Sequence, residues 1–448
     1  MALYQLGLAL ALLVAGPFLL LARGRHYLPT LRGRLGLALP SGPESALWLH
    51  AVSVGEVSVA AVLARALPAE LPLVVTTITP TGQQRARALL GERAGIGYLP
   101  IDLGPQVERF LRRLRPAALV LVEGDYWPLL LARCRRRKLR IAVVNGRVGD
   151  RTLRLLAPRP RIARWLLGAV ERFAVQTAED ARRLHALGVA AEKVVVAGNL
   201  KYDAAEPAPQ RLLEGALLAA AAGRRLLVAG STMPGEEQVV LDAFAAIGGG
   251  ERALLVLAPR HPERWEETAR LLADGGWRWQ RRSAMTDREV ATPPDVVLLD
   301  SLGELAALYR LAAACFVGGT LAPTGGHNPL EPARFGRAIA VGPSMHNFRD
   351  MAVQFDEALA WRRVADAAEL AAAWRSWLED PAAAAALGAR ARALVEVNRG
   401  AVERTLQVIA PLLARVGAPE ALPPAAEEGA RSPSAADAEP HPAAGRSR

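Results

Sequence analysis

Residues Phe316–Ala333 read FVGGTLAPTGGHNPLEPA. An apolar run, Cys315–Val317, stops at a Gly-Gly pair, and His-Asn-Pro-Leu-Glu-Pro then opens a helix, with Asn328 a fair N-cap and Pro329 suited to the first turn. Strand, glycine-rich turn and helix together form the repeating unit of a parallel α/β sheet. The turn lies at the strand's carboxyl end, where such sheets bind ligands. The pairs Gly318-Gly319 and Gly325-Gly326 permit close backbone approach. Amides at the helix start suit a phosphate, and Glu331 suits sugar hydroxyls. The alternative reading of the string is a tight strand–helix turn with a structural glutamate.

The same alternation extends outward in both directions. Arg225–Ala229, Ala253–Ala258, Val296–Leu299 and Ala338–Val341 read as further buried parallel strands, and residues 365–415 as Ala/Leu-rich helix. Upstream, a second series reads Ala46–Val52, Leu73–Ile78, Ala118–Glu123, Ile141–Asn145, Phe173–Gln176 and Val194–Ala197 as strands. Between them, Glu56–Ala66, Gly82–Leu90 and Gln106–Leu114 read as helices. Ala205–Gln210 (AEPAPQ) is a polar, proline-containing break between the two series. The 448 residues exceed one ordinary core, so two consecutive Rossmann-like domains facing a cleft are expected.

Composition narrows the function. Hydrophobic residues make up 51% and charged residues 22%, a globular balance. Two cysteines, Cys134 and Cys315, exclude a disulfide scaffold and a thiolate metal cluster, and scattered histidines give no zinc-protease pair. The net charge is +11, but the basic residues are arginines except for Lys138, Lys193 and Lys201, and aromatics are only 5%. That is weak evidence for nucleic acid, which is not expected as a partner; anionic lipid fits the basic surface at least as well.

Met1–Ala22 carries no charge, and as a helix it rises about 33 Å, close to a hydrocarbon thickness. Arg23, Arg25, Arg32 and Arg34 follow. An uncleaved membrane anchor is expected, with the two domains on the cytoplasmic face of an inner membrane. Pro17 keeps open a half-inserted interfacial helix, and a buried core helix is the third reading. The segment Arg151–Arg172 mixes arginines with Leu155, Ile162 and Trp165. It suits either an anionic amphiphile or the solvated face of an ordinary helix. The division expected is an anchor over 1–22, a first domain over 23–204, a second over 205–417 and a disordered tail over 418–448.

Chemistry-bearing residues recur after strands. Trp48–Glu56 (WLHAVSVGE) places Ser53, Gly55 and Glu56 at a helix start. Glu56 is a candidate general base for a sugar hydroxyl, or else complements the helix dipole, while His50 reads as a packed core residue. Thr76–Gly82 (TTITPTG) contributes Thr81. Glu123 and Asp125 follow one strand, and Asn145 and Arg147 another; Arg147 either meets a substrate anion or pairs with Glu123 or Asp125. In the second half, Ser231 and Thr232 (GSTM) and Pro259, Arg260 and His261 (LAPRHPER) stand at strand ends, where an arginine suits a phosphate.

With these strings assembled, the chain resembles the Kdo (3-deoxy-D-manno-oct-2-ulosonic acid) transferases of lipopolysaccharide synthesis. The carriers are His50–Glu56, Thr76–Gly82, QTAEDA (Gln176–Ala181), GNLKYD (Gly198–Asp203), Pro259–Arg264 and Gly318–Ala333, in order and spacing. The resemblance implies the GT-B architecture and metal-independent, inverting transfer from CMP-Kdo to a tetra-acylated lipid A precursor, with no cofactor. It implies Glu56 as general base, with Ser53, Gly55, Thr81, Glu123, Asn145 and Arg147 on the acceptor side. It implies Arg260, Asn328 and Glu331 at the CMP site; Ser231, Thr232, Pro259, His261, Gly325 and Gly326, read above from their positions, join them as candidates around the nucleotide, with Leu302 and Gly303 of Leu299–Leu305 (LDSLGEL). The chain departs from the family at Val122–Pro128, Asn145–Gly149 and Leu302. A UDP-sugar transferase of the same architecture, or a catalytically impaired lipid A-binding membrane protein, are the alternatives.

Overall fold

The computed structural model of the protein describes residues 2–285 and 292–416. The first sheet comprises β1 (Leu47–His50), β2 (Leu73–Thr77), β3 (Gly95–Tyr98), β4 (Ala118–Val122), β5 (Arg140–Gly146), β6 (Arg172–Val175) and β7 (Val194–Val196), in the order β3-β2-β1-β4-β5-β6-β7. The second comprises β8 (Arg225–Thr232), β9 (Ala253–Pro259), β10 (Trp279–Arg281), β11 (Val296–Leu298), β12 (Ala312–Val317), β13 (Ala338–Val341) and β14 (Arg362–Arg363), in the order β10-β11-β9-β8-β12-β13-β14. All pairings within them are parallel. The expected pair of doubly wound α/β domains is therefore what the chain forms. Strand order reverses between β1 and β4 and between β8 and β12, so each sheet opens a crevice at that point.

Burial on both faces explains the unbroken apolar strands. Leu47, Leu49, Val75 and Val120 go to one face of the first sheet. Trp48, Leu119 and Leu121 go to the other, where Trp48 meets Phe110 with ring centroids 5.1 Å apart. The three strands that hydrophobic pattern did not reveal, β3, β10 and β14, are all short edge strands. In β3, glycine interrupts the pattern because a Cβ at Gly95 would stand 1.3 Å from the Ser41 carbonyl oxygen.

The helix Ala2–Tyr27 contains Pro17 and exposes Leu10, Leu13, Val14, Phe18 and Leu21. Its first turns rest on protein: the Tyr4 hydroxyl donates to Asp102 Oδ2 at 3.0 Å, and Gln5, Leu6 and Ala9 face Leu103, Pro105 and Gln106. At the other end the Arg34 guanidinium lies 5.6 Å from the ring centroids of both Tyr27 and Tyr98. Among the described residues no helix is long and apolar enough to cross a membrane. The spanning form of the expected anchor is thus unsupported, and the polar residues near its start are turned onto the first domain. The tail expected over 418–448 lies outside the described residues.

Residues 204–210 carry no helix or strand, in keeping with a linker. Contacts cross between the domains beside it. The Lys201 carbonyl accepts from Arg334, the Tyr202 hydroxyl donates to Gln354 Oε1 at 3.0 Å, and Arg349 pairs with Asp150 at 3.1 Å. The chain also returns: the helix Ala401–Leu413 packs back on the first sheet, placing Ile409 and Leu412 in a core with Leu49 and Val75. Asp203 ties that helix down, its carboxylate accepting from the N–H groups of Gly400 (2.8 Å) and Val402 (2.6 Å). Asp203→Ala leaves those end donors unpaired and should lower unfolding free energy by about 1–2 kcal/mol, read from urea denaturation midpoints.

Candidate active site

The first cluster forms at the β1/β4 crevice. Ser53 ends the extended segment after β1 and caps the helix Val54–Ala66. Its hydroxyl donates to Glu56 Oε1 at 2.9 Å, while the Val52 N–H donates to Glu56 Oε2 at 2.8 Å. This resembles a capping box with the carboxylate reaching one residue further back, to Val52 rather than to the Ser53 N–H, and it fixes the Glu56 carboxyl in one orientation. Burial, helped by the nearby charges of Glu123 and Asp125, outweighs these hydrogen bonds and raises the Glu56 pKa from 4.5 to about 7. Gly55 and Thr81 are exposed beside this turn. The helix Pro80–Leu90 starts so close that a Cβ at Gly82 would stand 3.2 Å from the Val52 carbonyl oxygen.

Across the crevice, Glu123 follows β4 and Asn145 lies near the end of β5, both in the left-handed region (φ 62° and 52°) that non-glycine residues occupy at a cost. Glu123 Oε1 accepts from Lys201 Nζ (3.1 Å) and from Asn145 Nδ2 (3.2 Å), while Asn145 Oδ1 accepts from the Leu200 N–H (2.9 Å). Asp125 is pushed above the usual carboxylate range by burial and by Glu123. Arg147 forms neither expected ion pair: its side chain is exposed, and only its backbone N–H reaches the Glu123 carbonyl (3.1 Å). The cation that Glu123 binds is Lys201, which the reading of individual sequence positions did not select. Its signal was its rarity, as one of three lysines in an arginine-rich chain. His50 is a core residue as expected, hydrogen-bonded to Thr76 and lowered to about 4 by burial.

The second cluster forms at the β8/β12 crevice. Ser231 (φ 59°) and buried Thr232 end β8, Pro259 ends β9, and the Arg260 N–H donates to the Thr232 carbonyl at 3.0 Å. Glu331 is half-buried, and desolvation pushes its carboxyl up. The opposing influences on it are Asn328, whose Nδ2 donates at 3.4 Å, and the charges of Arg334, Arg85 and Arg260. His327 is held neutral, its pKa lowered to about 4 by burial and by Arg260 and His261. The helix here is only Leu330–Arg334 with Pro329 as its cap; Asn328 stands one residue outside, though its Oδ1 still accepts from the Leu330 N–H at 3.2 Å.

The glycines of this region serve packing more than the open ligand face expected of them. A Cβ at Gly318 would stand 2.4 Å from the Ser231 carbonyl oxygen, and Gly325 and Gly326 are buried beneath Ser344–Asn347. Leu302 and Gly303 lie in a turn after β11, with Leu302 66% exposed.

A cavity of about 200 Å³ separates the domains. Ser58, Val62, Arg65 and Arg85 line it from the first, and Asn328, Glu331 and Arg334 from the second. Arg85 is exposed along its length, but desolvation in the cavity wall lowers its pKa, and it brings a first-domain cation within range of Glu331 and Arg260. Sequence reading missed it. The available signal was its spacing, one helical turn beyond Thr81. The helix that carries Glu56 supplies Ser58 to the cavity, whereas Glu56 itself opens toward Glu123 and Asp125. No hydrogen bond or ion pair among the described residues joins Glu56 to Arg260 or Glu331. Among the described residues no group of three His, Cys, Asp or Glu side chains is placed to hold a metal ion.

Residues 30–204 match the family model described as 3-deoxy-D-manno-octulosonic-acid transferase (kdotransferase). The chain is 35% identical to the 3-deoxy-D-manno-octulosonic acid transferase of Bordetella pertussis, over 86% of this chain and 91% of that protein. It is 32% identical to the transferase of the same name from Haemophilus influenzae, over 83% of this chain and 88% of that protein. Among solved structures, the UDP-GlcNAc 2-epimerase of Neisseria meningitidis bound to UDP-GlcNAc is similar with a TM-score of 0.52. It covers 83% of this chain and 100% of its own at 11% identity, a likeness of fold alone.

Proposed function

Because the chain belongs to the 3-deoxy-D-manno-octulosonic-acid (Kdo) transferase family and is thus a glycosyltransferase, we propose that it moves Kdo from CMP-Kdo to a hydroxyl of a tetra-acylated lipid A precursor, with inversion and without a metal. The carrying observation is the Glu56 carboxyl, oriented by Ser53 and Val52 at the crevice of the first sheet and tuned to about 7. A base poised near the working pH is what removal of a hydroxyl proton needs.

In this reading the second domain holds CMP, with Arg260 on its phosphate and Glu331 on its ribose. Glu56 takes the acceptor proton as the hydroxyl oxygen bonds to the Kdo anomeric carbon. The bond from that carbon to the CMP phosphate breaks on the opposite face, and its electron pair leaves with CMP. Arg260 stabilises the charge that develops on the phosphate. Domain closure brings Glu56 up to the donor, with Arg85 meeting the second domain across the cavity.

The acceptor is an amphiphile, and the surface of the first domain suits one. The exposed apolar side chains of the helix Ala2–Tyr27 and those of Leu155 and Ile162, the latter two set among Arg151, Arg154, Arg159 and Arg161, favour the anionic cytoplasmic face of an inner membrane. The helix lies in the interface rather than across it.

The test uses full-length protein, CMP-Kdo generated in situ and the tetra-acylated disaccharide bisphosphate, with products read by mass spectrometry. The expected result is an acceptor heavier by one or more Kdo residues, formed equally well in EDTA. Absence of product from CMP-Kdo, together with thermal stabilisation by UDP and none by CMP, would replace this reading with a UDP-sugar transferase.

A further inference from the structure

The helix Glu236–Ala246 begins with two adjacent carboxylates, both buried, that belong to neither cluster described above. Glu236 is surrounded by backbone N–H groups. Its Oε2 accepts from Met233 (2.8 Å) and Gly319 (2.6 Å), and its Oε1 from Thr320 (2.9 Å), Leu321 (2.8 Å) and Ala322 (3.1 Å). Successive amides converging in this way form an anion-binding nest, and here the chain fills the nest with its own carboxylate. Glu237 faces the other way. Its Oε1 accepts from Thr232 Oγ1 (2.8 Å) and from Arg264 Nη1 (2.5 Å).

Between them the two side chains bind the three loops that carry the donor-side residues: the one after β8, the one after β9 and the glycine-rich one after β12. Thr320 carries the connection one strand further, because its Oγ1 accepts from the Gly342 N–H at 2.8 Å.

We infer that Glu236 and Glu237 are positioning residues of the nucleotide pocket, with Glu236 the internal anion on which the Gly319–Ala322 loop is moulded and Glu237 the tie that holds the β8 and β9 loops together. The inference rests on the reading of the second domain as the donor domain. It has a consequence for recognition. The loop amides are already satisfied, so the donor's phosphate is recognised by side chains, Arg260 foremost, and the glycine-rich loop contributes shape rather than charge.

The atoms lost in Glu236→Ala correspond to acetate, so the vacated nest invites chemical rescue. In the full-length protein, Glu236→Ala should weaken CMP binding by at least about tenfold, as expected when several hydrogen bonds to a buried charge are lost. It should raise KM for the donor while leaving KM for the acceptor unchanged. Acetate should restore CMP affinity, and acetamide should not. Amide exchange at Gly319–Ala322 should accelerate while β12 stays protected. Glu236→Gln, which keeps one acceptor oxygen and the side-chain volume, should fall between the two and serves if the alanine variant does not fold.

Unaltered loop exchange, or loosened loops with CMP affinity unchanged, would overturn the inference. Failure of the unsubstituted protein to bind CMP would instead remove the donor reading, and loop exchange would then judge the positioning role by itself.

Discussion

Glu56→Gln lowers turnover by about 10²–10⁴-fold while CMP affinity stays at the parent value, because the substitution removes a proton acceptor from one domain and touches no group of the other. Glutamine keeps the size of the side chain and one oxygen for the Val52 and Ser53 donors, so the start of the helix Val54–Ala66 survives. In the parent enzyme turnover rises with pH through about 7 as the carboxyl ionises, and this limb is absent from the glutamine variant.

Stability runs in the opposite direction. The carboxyl titrates near 7 in the fold against 4.5 when exposed, so the stability linked to its proton is complete below pH 4.5 and is lost as pH rises through 7. At pH 8 the glutamine variant should therefore resist urea at least as well as the parent. Near-parent turnover would remove Glu56 from the base role.

Arg260→Ala lowers kcat/KM by about 10²–10³-fold, the cost of removing a fixed donor from developing charge, and it weakens CMP binding as well. Its backbone is pinned to Thr232 at 3.0 Å, so the loop keeps its course when the side chain is cut back. Arg260→Lys should recover only part of the loss, since an ammonium lacks the planar fork that grips two phosphate oxygens. Glu331 and Arg85 stand within range of the same group, so the alanine variant also leaves the half-buried Glu331 carboxyl with fewer cations near it. An unchanged CMP dissociation constant by calorimetry would refute the phosphate role.

The interior strands were legible in the sequence because parallel strands buried on both sides read as continuous apolar runs, as at Leu47–His50 and Ala253–Pro259. Three of the four edge strands were not, since Arg362–Arg363 has no apolar face to display and Gly95–Tyr98 is interrupted by glycines that packing demands, whereas the apolar run of Val194–Val196 was. Three helices, Val54–Ala66, Pro80–Leu90 and Gly104–Leu114, start two residues before their apolar pattern does, and in the first two a side chain explains it. Ser53 and Thr79 cap them through hydroxyls that accept from Glu56 and Gly82, and Pro80 occupies a first-turn site.

In the site, residues at strand ends could be found by position alone, because the crevice at a reversal of strand order collects them: Glu56 with Glu123, and Thr232 with Gly318. Arg85 could not, since the flank of a helix places it and it has no motif of its own; Lys201 lies within GNLKYD, in the turn Leu200–Asp203 just before the linker, but its place along the chain did not show that it would meet Glu123. The glycine pairs were found, but what the sequence could not show is that the space beside Gly318 and Gly326 is taken by the chain itself.

The returning helix Ala401–Leu413 also bears on biosynthesis. Leu49 and Val75 leave the ribosome early, yet the core they share with Ile409 and Leu412 cannot close until nearly the whole polypeptide has emerged. The lobe translated first is thus completed last, and the lobe translated second already has its central strands in hand while its elder waits. A chain truncated shortly before residue 401 and released from the ribosome should carry a finished second lobe behind an unsealed first lobe, whose bare apolar strip is the natural target for a chaperone.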